Sequence, residues 1–114
     1  MAGDPLAKRT CKPCEAGVEP LPLSAAQALL RDLKGWELVD GASLRKTVTC
    51  ADFLGAVDLI RRIAPIAEAE DHHPNLHLTS YRKVTIELST HAIGGLSEND
   101  FILAAKIDQL LVSS

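Results

Sequence analysis

The stretch LHLTSYRKVTIELST, residues 76–90, has the clearest periodicity in this sequence. Apolar and polar residues alternate along both of its halves. The apolar positions are Leu76, Leu78, Val84, Ile86 and Leu88. A period of two places every apolar side chain of a strand on the same face of its sheet. We therefore predict two strands, each with one buried face.

A second pair of strands is predicted upstream, in WELVDGASLRKTV, residues 36–48. Asp40-Gly41 separates two runs of β-forming residues, and this dipeptide is a strong signal for a hairpin turn. The side chains expected to face the core are Trp36, Leu38, Leu44 and Val48.

Three helices are predicted from apolar residues that recur every three or four positions. The first follows Ser24 as N-cap and ends at Gly35. The second follows Asp52 and contains Pro65, where we expect a kink or a restart. The third follows Ser97. The predicted core positions are Phe53, Val57, Ile60, Ile63, Ala64 and Ala67 in the second helix, and Phe101, Ala104, Ala105, Ile107 and Leu111 in the third.

The order of elements predicts an α+β fold: helix, two strands, helix, two strands, helix. Such grouping is typical of an antiparallel sheet, here four-stranded, with the helices packed on one face. Residues 24–114 would form the single domain. Residues 1–23 contain four of the six prolines, and we expect an irregular N-terminal arm there.

Composition excludes several classes of function. The 114-residue chain is 46% hydrophobic with a net charge of −3, which argues against a nucleic-acid partner. No apolar run approaches the roughly 20 residues of a membrane span, and no secretory signal is evident. Three cysteines, an odd number, do not suggest a disulfide framework. We expect a cytoplasmic protein with no membrane partner.

Titratable residues are concentrated in EAEDHHPNLHL, residues 68–78, which holds three of the four histidines. His72 and His73 are adjacent, so in an extended or turning segment they would point to different sides of the chain and could flank a flat ligand. Glu68 and Asp71 are close enough in sequence to orient an imidazole ring through its second nitrogen. Each imidazole can give or take a proton near neutral pH.

The fourth histidine, His91, follows the last predicted strand. An antiparallel hairpin would bring it near His73. An ordinary surface location is the better explanation for any one of these histidines taken alone, and we expect Glu70 and His77 to face solvent. The conjunction of His72, His73 and His91 with nearby acids favours a site for proton transfer.

A metal site is the main alternative, because Cys11-Lys12-Pro13-Cys14 supplies a CxxC motif and zinc binds Cys and His. However, no second cysteine pair and no HxxxH helix pair completes a ligand set. A lone CxxC is therefore a weak signal.

The sequence resembles the pterin-4a-carbinolamine dehydratases. The resemblance lies in EAEDHHP followed by Tyr81, His91 and Asp100, and in STHAIGGLSENDFILAAKID, residues 89–108. It implies an antiparallel four-stranded sheet with three helices on one face. It also implies dehydration of 4a-hydroxytetrahydropterin to quinonoid dihydropterin without a metal or organic cofactor. By this resemblance His72, His73 and His91 would be the catalytic acids and bases, and the carboxylates at positions 68, 71 and 100 would bind or orient substrate.

Within that family, PNLHLTSY and THAIGGLSENDFILAAKI are most similar to a plastid and chemoautotroph branch linked to Rubisco assembly. The alternative function is therefore an assembly factor for the Rubisco large subunit, associated with carboxysomes or plastids. The family resemblance and the exposed edges of the sheet also predict a homodimer or homotetramer.

Overall fold

The computed structural model describes Leu6, Cys11 and residues 19–113, with the backbone alone for His91, Val112 and Ser113. Its α-helices are α1 (Leu23–Leu30), α2 (Phe53–Glu70) and α3 (Glu98–Ser113). Its strands are β1 (Glu37–Val39), β2 (Ser43–Thr49), β3 (Asn75–Thr79) and β4 (Lys83–Leu88). A short 3-10 helix, His91–Ile93, precedes α3. The predicted α+β order is confirmed.

The four strands form one antiparallel sheet in the order β1-β2-β4-β3. Leu44 on β2 lies opposite Leu88 on β4, and Leu76 on β3 lies opposite Ile86 on β4. These side chains share the face that the helices cover, where Leu44, Val84, Ile86 and Leu88 are fully buried. Removing each such side chain from water contributes about 1.5–3 kcal/mol to folding. The alternation of apolar and polar residues that predicted the strands thus corresponds to this buried face.

The hairpin between β1 and β2 turns at Asp40 and Gly41, as predicted. Both residues have positive φ, 53° and 67°, and the N–H of Ala42 donates to the carbonyl of Val39 at 3.0 Å. Two central residues with positive φ define the turn whose twist matches antiparallel strands.

The buried face of α2 agrees with the predicted one at Ile63 and Ala67, but not along the whole helix. Its buried residues are Ala56, Leu59, Ile63 and Ala67. Phe53 is 53% exposed and Ala64 is also exposed, so the prediction was wrong at both positions. Apolar residues occupy two neighbouring faces of this helix, and periodicity alone does not choose between them. The buried face carries two alanines, whose small side chains allow close approach to the sheet and to α3.

Helix α3 is buried almost all round in its first half. The prediction of Phe101, Ala104, Ala105 and Ile107 as core is confirmed, but Ile102 and Leu103 are buried as well. A helix that is apolar on every side belongs in the middle of a protein. Among the described residues no helix is long and apolar enough to cross a membrane.

The ends of the helices agree with prediction at some positions only. Asp52 caps α2, its side chain accepting the Gly55 N–H at 2.7 Å. Ser24 is not the N-cap of α1, because Pro22 takes that position in an extended conformation. Gly35 does not end α1, which stops at Leu30, and its positive φ serves the turn before Trp36. Helix α2 runs through Pro65 without a restart.

A polar cluster closes one end of the core. Asp108 on α3 accepts hydrogen bonds from Trp36 Nε1 at 2.8 Å and from Lys46 Nζ at 2.9 Å. Lys46 Nζ also donates to the carbonyl of Lys34 at 2.7 Å. Asp108 lies two turns along α3 from Asp100, so this cluster is separate from the histidines described next.

Candidate active site

The C-terminal end of α2 determines where the two adjacent histidines lie. Asp71 has φ 50° and ψ 40°, a left-handed conformation that Asp tolerates better than most residues. Its N–H donates to the carbonyl of Glu68, and the N–H of His72 donates to that of Ala67, each at 3.2 Å. These two bonds form the Schellman motif that ends many helices. The chain then passes through His72 and His73 into β3.

His72 pairs with the most deeply buried acid of the described chain. Its Nε2 lies 2.6 Å from Asp100 Oδ1, and Asp100, in the first turn of α3, is 0% exposed. Asp100 Oδ2 accepts from the Thr90 hydroxyl at 2.8 Å and from the Ser97 N–H at 3.0 Å. Burying a carboxylate is costly unless donors replace water. Here three donors and the positive end of the α3 dipole compensate for the lost water.

The second nitrogen of His72 is left available. Among the described residues no fully buried side-chain nitrogen or oxygen lacks a hydrogen-bond partner. The hydrogen bond of the His72 ring is made through Nε2. Nδ1 therefore reaches solvent, although the side chain is only 12% exposed. When Nε2 carries the proton donated to Asp100, Nδ1 has a free lone pair and can accept a proton.

His73 has a different partner from His72, and its side chain is far more exposed. Its Nε2 is 2.8 Å from Glu68 Oε1, and the two side chains are 55% and 76% exposed. An ion pair this exposed contributes little to stability. The contact restrains the orientation of a ring that water can reach.

His91 and Asp71 are only partly placed. His91 opens the 3-10 helix His91–Ile93 directly after Thr90, so its backbone adjoins a residue that shares Asp100 with His72. Its side chain lies outside the described part of the structure. Asp71 is exposed and ends α2 through its backbone. The substrate-binding role of Asp71 stays a prediction.

Glu70 does not face solvent, contrary to the prediction. Its Oε1 accepts the backbone N–H of Cys11 at 2.8 Å, and its Oε2 lies 3.8 Å from Lys106 Nζ. The Cys11 thiol donates to the carbonyl of Asn99 at 3.6 Å. Cys11 thus joins the end of α2 to the start of α3, beside the His72–Asp100 pair. No local pattern signals a contact between residues 59 positions apart.

The thiol of Cys11 is held in its neutral form. Burial, and then the negative charge of Glu70, raises the pKa of Cys11 to about 12. A neutral thiol is a poor nucleophile and a poor metal ligand.

His77 lies apart from these groups. It is on the outer face of the sheet, where its Nε2 is 3.0 Å from Glu87 Oε1. Thr47 and Thr85 are hydrogen-bonded on the same face at 3.0 Å. The prediction that His77 occupies the polar side of β3 is confirmed, and this exposed histidine provides a control for the other two.

The described part of the chain contains no cluster of side chains suited to the alternative function, a metal site. Among Leu6, Cys11 and residues 19–113 no group of three or more His, Cys, Asp and Glu side chains is arranged to hold a metal ion. Cys14, the second cysteine of the CxxC motif, lies outside the described residues.

Comparison with known proteins identifies relatives along most of the chain. A family model described as pterin 4 alpha carbinolamine dehydratase matches residues 19–110. A protein of Nitrosomonas eutropha, provisionally named a pterin-4-alpha-carbinolamine dehydratase, is 45% identical over 109 residues, covering 95% of each chain. The mitochondrial pterin-4-alpha-carbinolamine dehydratase 2 of Arabidopsis thaliana is 45% identical over 94% of this chain and 59% of its own.

A solved structure supports the fold. The crystal structure of a transcriptional coactivator/pterin dehydratase from Brucella melitensis superposes with a TM-score of 0.74 at 32% sequence identity. The match covers 81% of this chain and 98% of the Brucella chain.

Proposed function

This chain belongs to the pterin 4 alpha carbinolamine dehydratase family, and we propose that it converts 4a-hydroxytetrahydropterin into quinonoid dihydropterin and water. The tetrahydrobiopterin form is the proposed substrate. The observation that carries the proposal is the 2.6 Å contact between His72 Nε2 and the buried Asp100, which leaves a second ring nitrogen for chemistry.

The reaction needs one proton removed and one supplied. The bond between C4a and its hydroxyl oxygen breaks, and the hydroxyl leaves as water once it is protonated. The adjacent ring nitrogen loses its proton as the C4a–N double bond forms. Imidazole, whose pKa in model peptides is about 6.5, is the side chain best suited to both transfers at neutral pH.

We assign removal of the ring proton to His72. A proton accepted at Nδ1 makes the ring an imidazolium, and the Asp100 carboxylate stabilises that charge through Nε2–H. Because Asp100 is 0% exposed, we propose that it acts through His72 rather than by touching substrate. This role refines the substrate-binding assignment predicted from the sequence.

Protonation of the leaving hydroxyl then falls to His73 and His91. The exposed ring of His73, restrained by Glu68, is able to exchange protons with water between turnovers. We propose that His91, whose backbone directly follows Thr90 beyond the end of β4, is the other candidate for this step. We propose that Asp71 supports substrate binding at the same end of α2.

An assay of dehydration tests the proposal. The full chain, added to freshly generated 4a-hydroxytetrahydrobiopterin, should accelerate the appearance of quinonoid dihydropterin over the uncatalysed rate. His72→Ala should lower kcat by about 10²- to 10⁴-fold, the usual contribution of a general acid or base. His77→Ala is the matched control, since His77 is also paired with a glutamate, and it should retain full activity. No acceleration at any pH from about 6 to 8, where histidine titrates, would overturn the proposal.

We also propose that the protein forms a homodimer or homotetramer. Strands β1 and β3 are the edges of the described sheet. Unpaired backbone groups along an edge can pair with another copy. Light scattering on the purified protein should give a mass of two or four chains, and a monomer at micromolar concentration would contradict this.

The Rubisco-assembly alternative stays a prediction and has its own test. If it holds, co-expression with Rubisco subunits should raise the yield of assembled enzyme, and the His72→Ala variant should do so equally well. Unchanged assembly with either protein would remove this alternative.

A further inference from the structure

We propose that Thr90 is a positioning residue: its hydroxyl orients Asp100 so that the His72 ring is held with Nε2 protonated and Nδ1 free. The inference rests on the proposed function for its catalytic consequence. Its structural content, the tautomer of His72, can be measured without any turnover.

The backbone of Thr90 is fixed by the loop that follows it. Thr90 and Gly95 form an isolated antiparallel bridge, with the Thr90 N–H donating to the Gly95 carbonyl at 2.8 Å. The N–H of Ile93 also donates to the Thr90 carbonyl at 3.2 Å. A Cβ at Gly95 would come within 2.7 Å of Pro20, and Gly94 has φ +69°, so the two glycines allow the loop to close. The side chain of Thr90 is therefore held in one place, 4% exposed.

The direction of the hydrogen bonds at Thr90 follows from its single hydroxyl proton. Asp100 accepts at Oδ2 from the Thr90 hydroxyl at 2.8 Å. A carboxylate can only accept, so Thr90 must give its proton to Asp100. Thr90 Oγ1 also lies 2.9 Å from Ser97 Oγ, and Thr90 has no second proton to give. Ser97 must donate to Thr90, which makes a directed chain from Ser97 through Thr90 to Asp100.

This chain determines which end of Asp100 meets the histidine. Oδ2 receives two donors, the Thr90 hydroxyl and the Ser97 N–H. Both come from backbone segments that are themselves hydrogen-bonded, so the carboxylate cannot rotate freely. Oδ1 is left facing His72 as a pure acceptor at 2.6 Å. The neutral ring must then donate from Nε2, which selects one tautomer and leaves the lone pair on Nδ1.

Loss of the Thr90 hydroxyl should therefore change the tautomer of His72, because Thr90 acts on the ring through Asp100. Thr90→Val keeps the shape of the side chain and removes the donor, so the carboxylate can turn away from His72 and weaken its contact with Nε2. A ring that has lost this acceptor can carry its proton on either nitrogen. We expect kcat to fall by about ten- to hundred-fold, the range for losing one hydrogen bond to a charged group. KM should change little, because the hydroxyl is buried away from substrate. Thr90→Ser keeps the hydroxyl and should restore both kcat and the tautomer.

The experiment is 15N NMR of ring-labelled histidine in the full chain, alongside the dehydration assay. In the unaltered protein, the 15N shifts of His72 should be those of a protonated Nε2 and an unprotonated Nδ1. This measurement does not depend on the folding of any variant. Thr90→Val should move both 15N shifts toward their average, and Thr90→Ser should not. An Nδ1–H tautomer in the unaltered protein would overturn the proposal, as would Thr90→Val shifts identical to those of the unaltered protein. Protein with the expected shifts but no dehydration would instead count against the proposed function alone.

Discussion

His72 Nε2 lies 2.6 Å from Oδ1 of Asp100, a carboxylate with no exposure to solvent. The contact joins the segment after α2 to the first turn of α3, across 28 residues of sequence. The imidazole of His72 is still accessible to water, whereas the charged carboxylate of Asp100 is not. That combination suits a general base whose protonated form is stabilised by the buried carboxylate. The following predictions rest on it.

Replacing Asp100 by asparagine should disable the site while preserving its shape. The amide carries no charge to stabilise an imidazolium, so kcat for dehydration should fall by about 10²- to 10⁴-fold. The control is Asp108→Asn on the same helix, in the cluster with Trp36 and Lys46. That variant should lower the unfolding free energy and leave kcat unchanged. Equal losses of activity in both variants would mean that Asp100 matters only for folding.

Replacing Glu68 by glutamine should affect catalysis more than stability. Glu68 and His73 are 76% and 55% exposed, so the unfolding free energy should change by less than about 1 kcal/mol. If Glu68 orients His73, kcat should fall. Glu87→Gln, which alters the similar pair with His77, should change neither quantity. Identical kinetics for the two variants would remove Glu68 from the site.

The Cys11 thiol should make stability depend on alkaline pH. Its pKa is raised from 9.0 to about 12 in the folded chain, so between these values the unfolded chain loses the proton and the folded chain keeps it. The folded state then binds more protons, and the unfolding free energy must decrease as pH rises through this window. Denaturation at about pH 8 and pH 10.5 should show a larger decrease than in Cys11→Ser. An identical decrease in both proteins would show that the thiol is not held neutral.

The same thiol should react slowly while the protein is folded. At pH 8 Cys11 should resist iodoacetamide, because only the thiolate attacks. Glu70→Gln removes a negative charge beside the thiol and should increase its alkylation rate, measured by peptide mass spectrometry. A rate in the folded protein equal to that in denaturant would contradict the buried location.

Alanine substitution of one buried and one exposed leucine should distinguish the core from the surface. Leu44 is 0% exposed and Leu54 is 76% exposed. Leu44→Ala should lower the unfolding free energy by about 2–5 kcal/mol, while Leu54→Ala should change it by less than about 0.5 kcal/mol. Urea denaturation measures both values. Comparable effects would mean that the described face of the sheet is not the core.

Short-range patterns in the sequence determined the elements of this fold. The alternation of Val84, Ile86 and Leu88, the Asp40-Gly41 turn and the Asp52 cap each depend on neighbours within a few positions. Such local preferences are written directly in the residue types. The family resemblance added the set of site residues, because EAEDHHP, His91 and Asp100 stand at distinctive spacings. The boundary between an arm at residues 1–23 and a domain at 24–114 stays a prediction.

Long-range packing decided what the sequence left open. Which face of α2 is buried depends on the sheet beneath it, so Phe53 could not be assigned from its own helix. The contact of Glu70 with Cys11 and the chain from Ser97 through Thr90 to Asp100 join residues from separate elements. The sequence named His72 as a candidate, whereas the tertiary structure determined which of its nitrogens faces solvent. The physical reason is that a buried carboxylate must find its donors wherever the fold brings them, and those donors lie on three different segments.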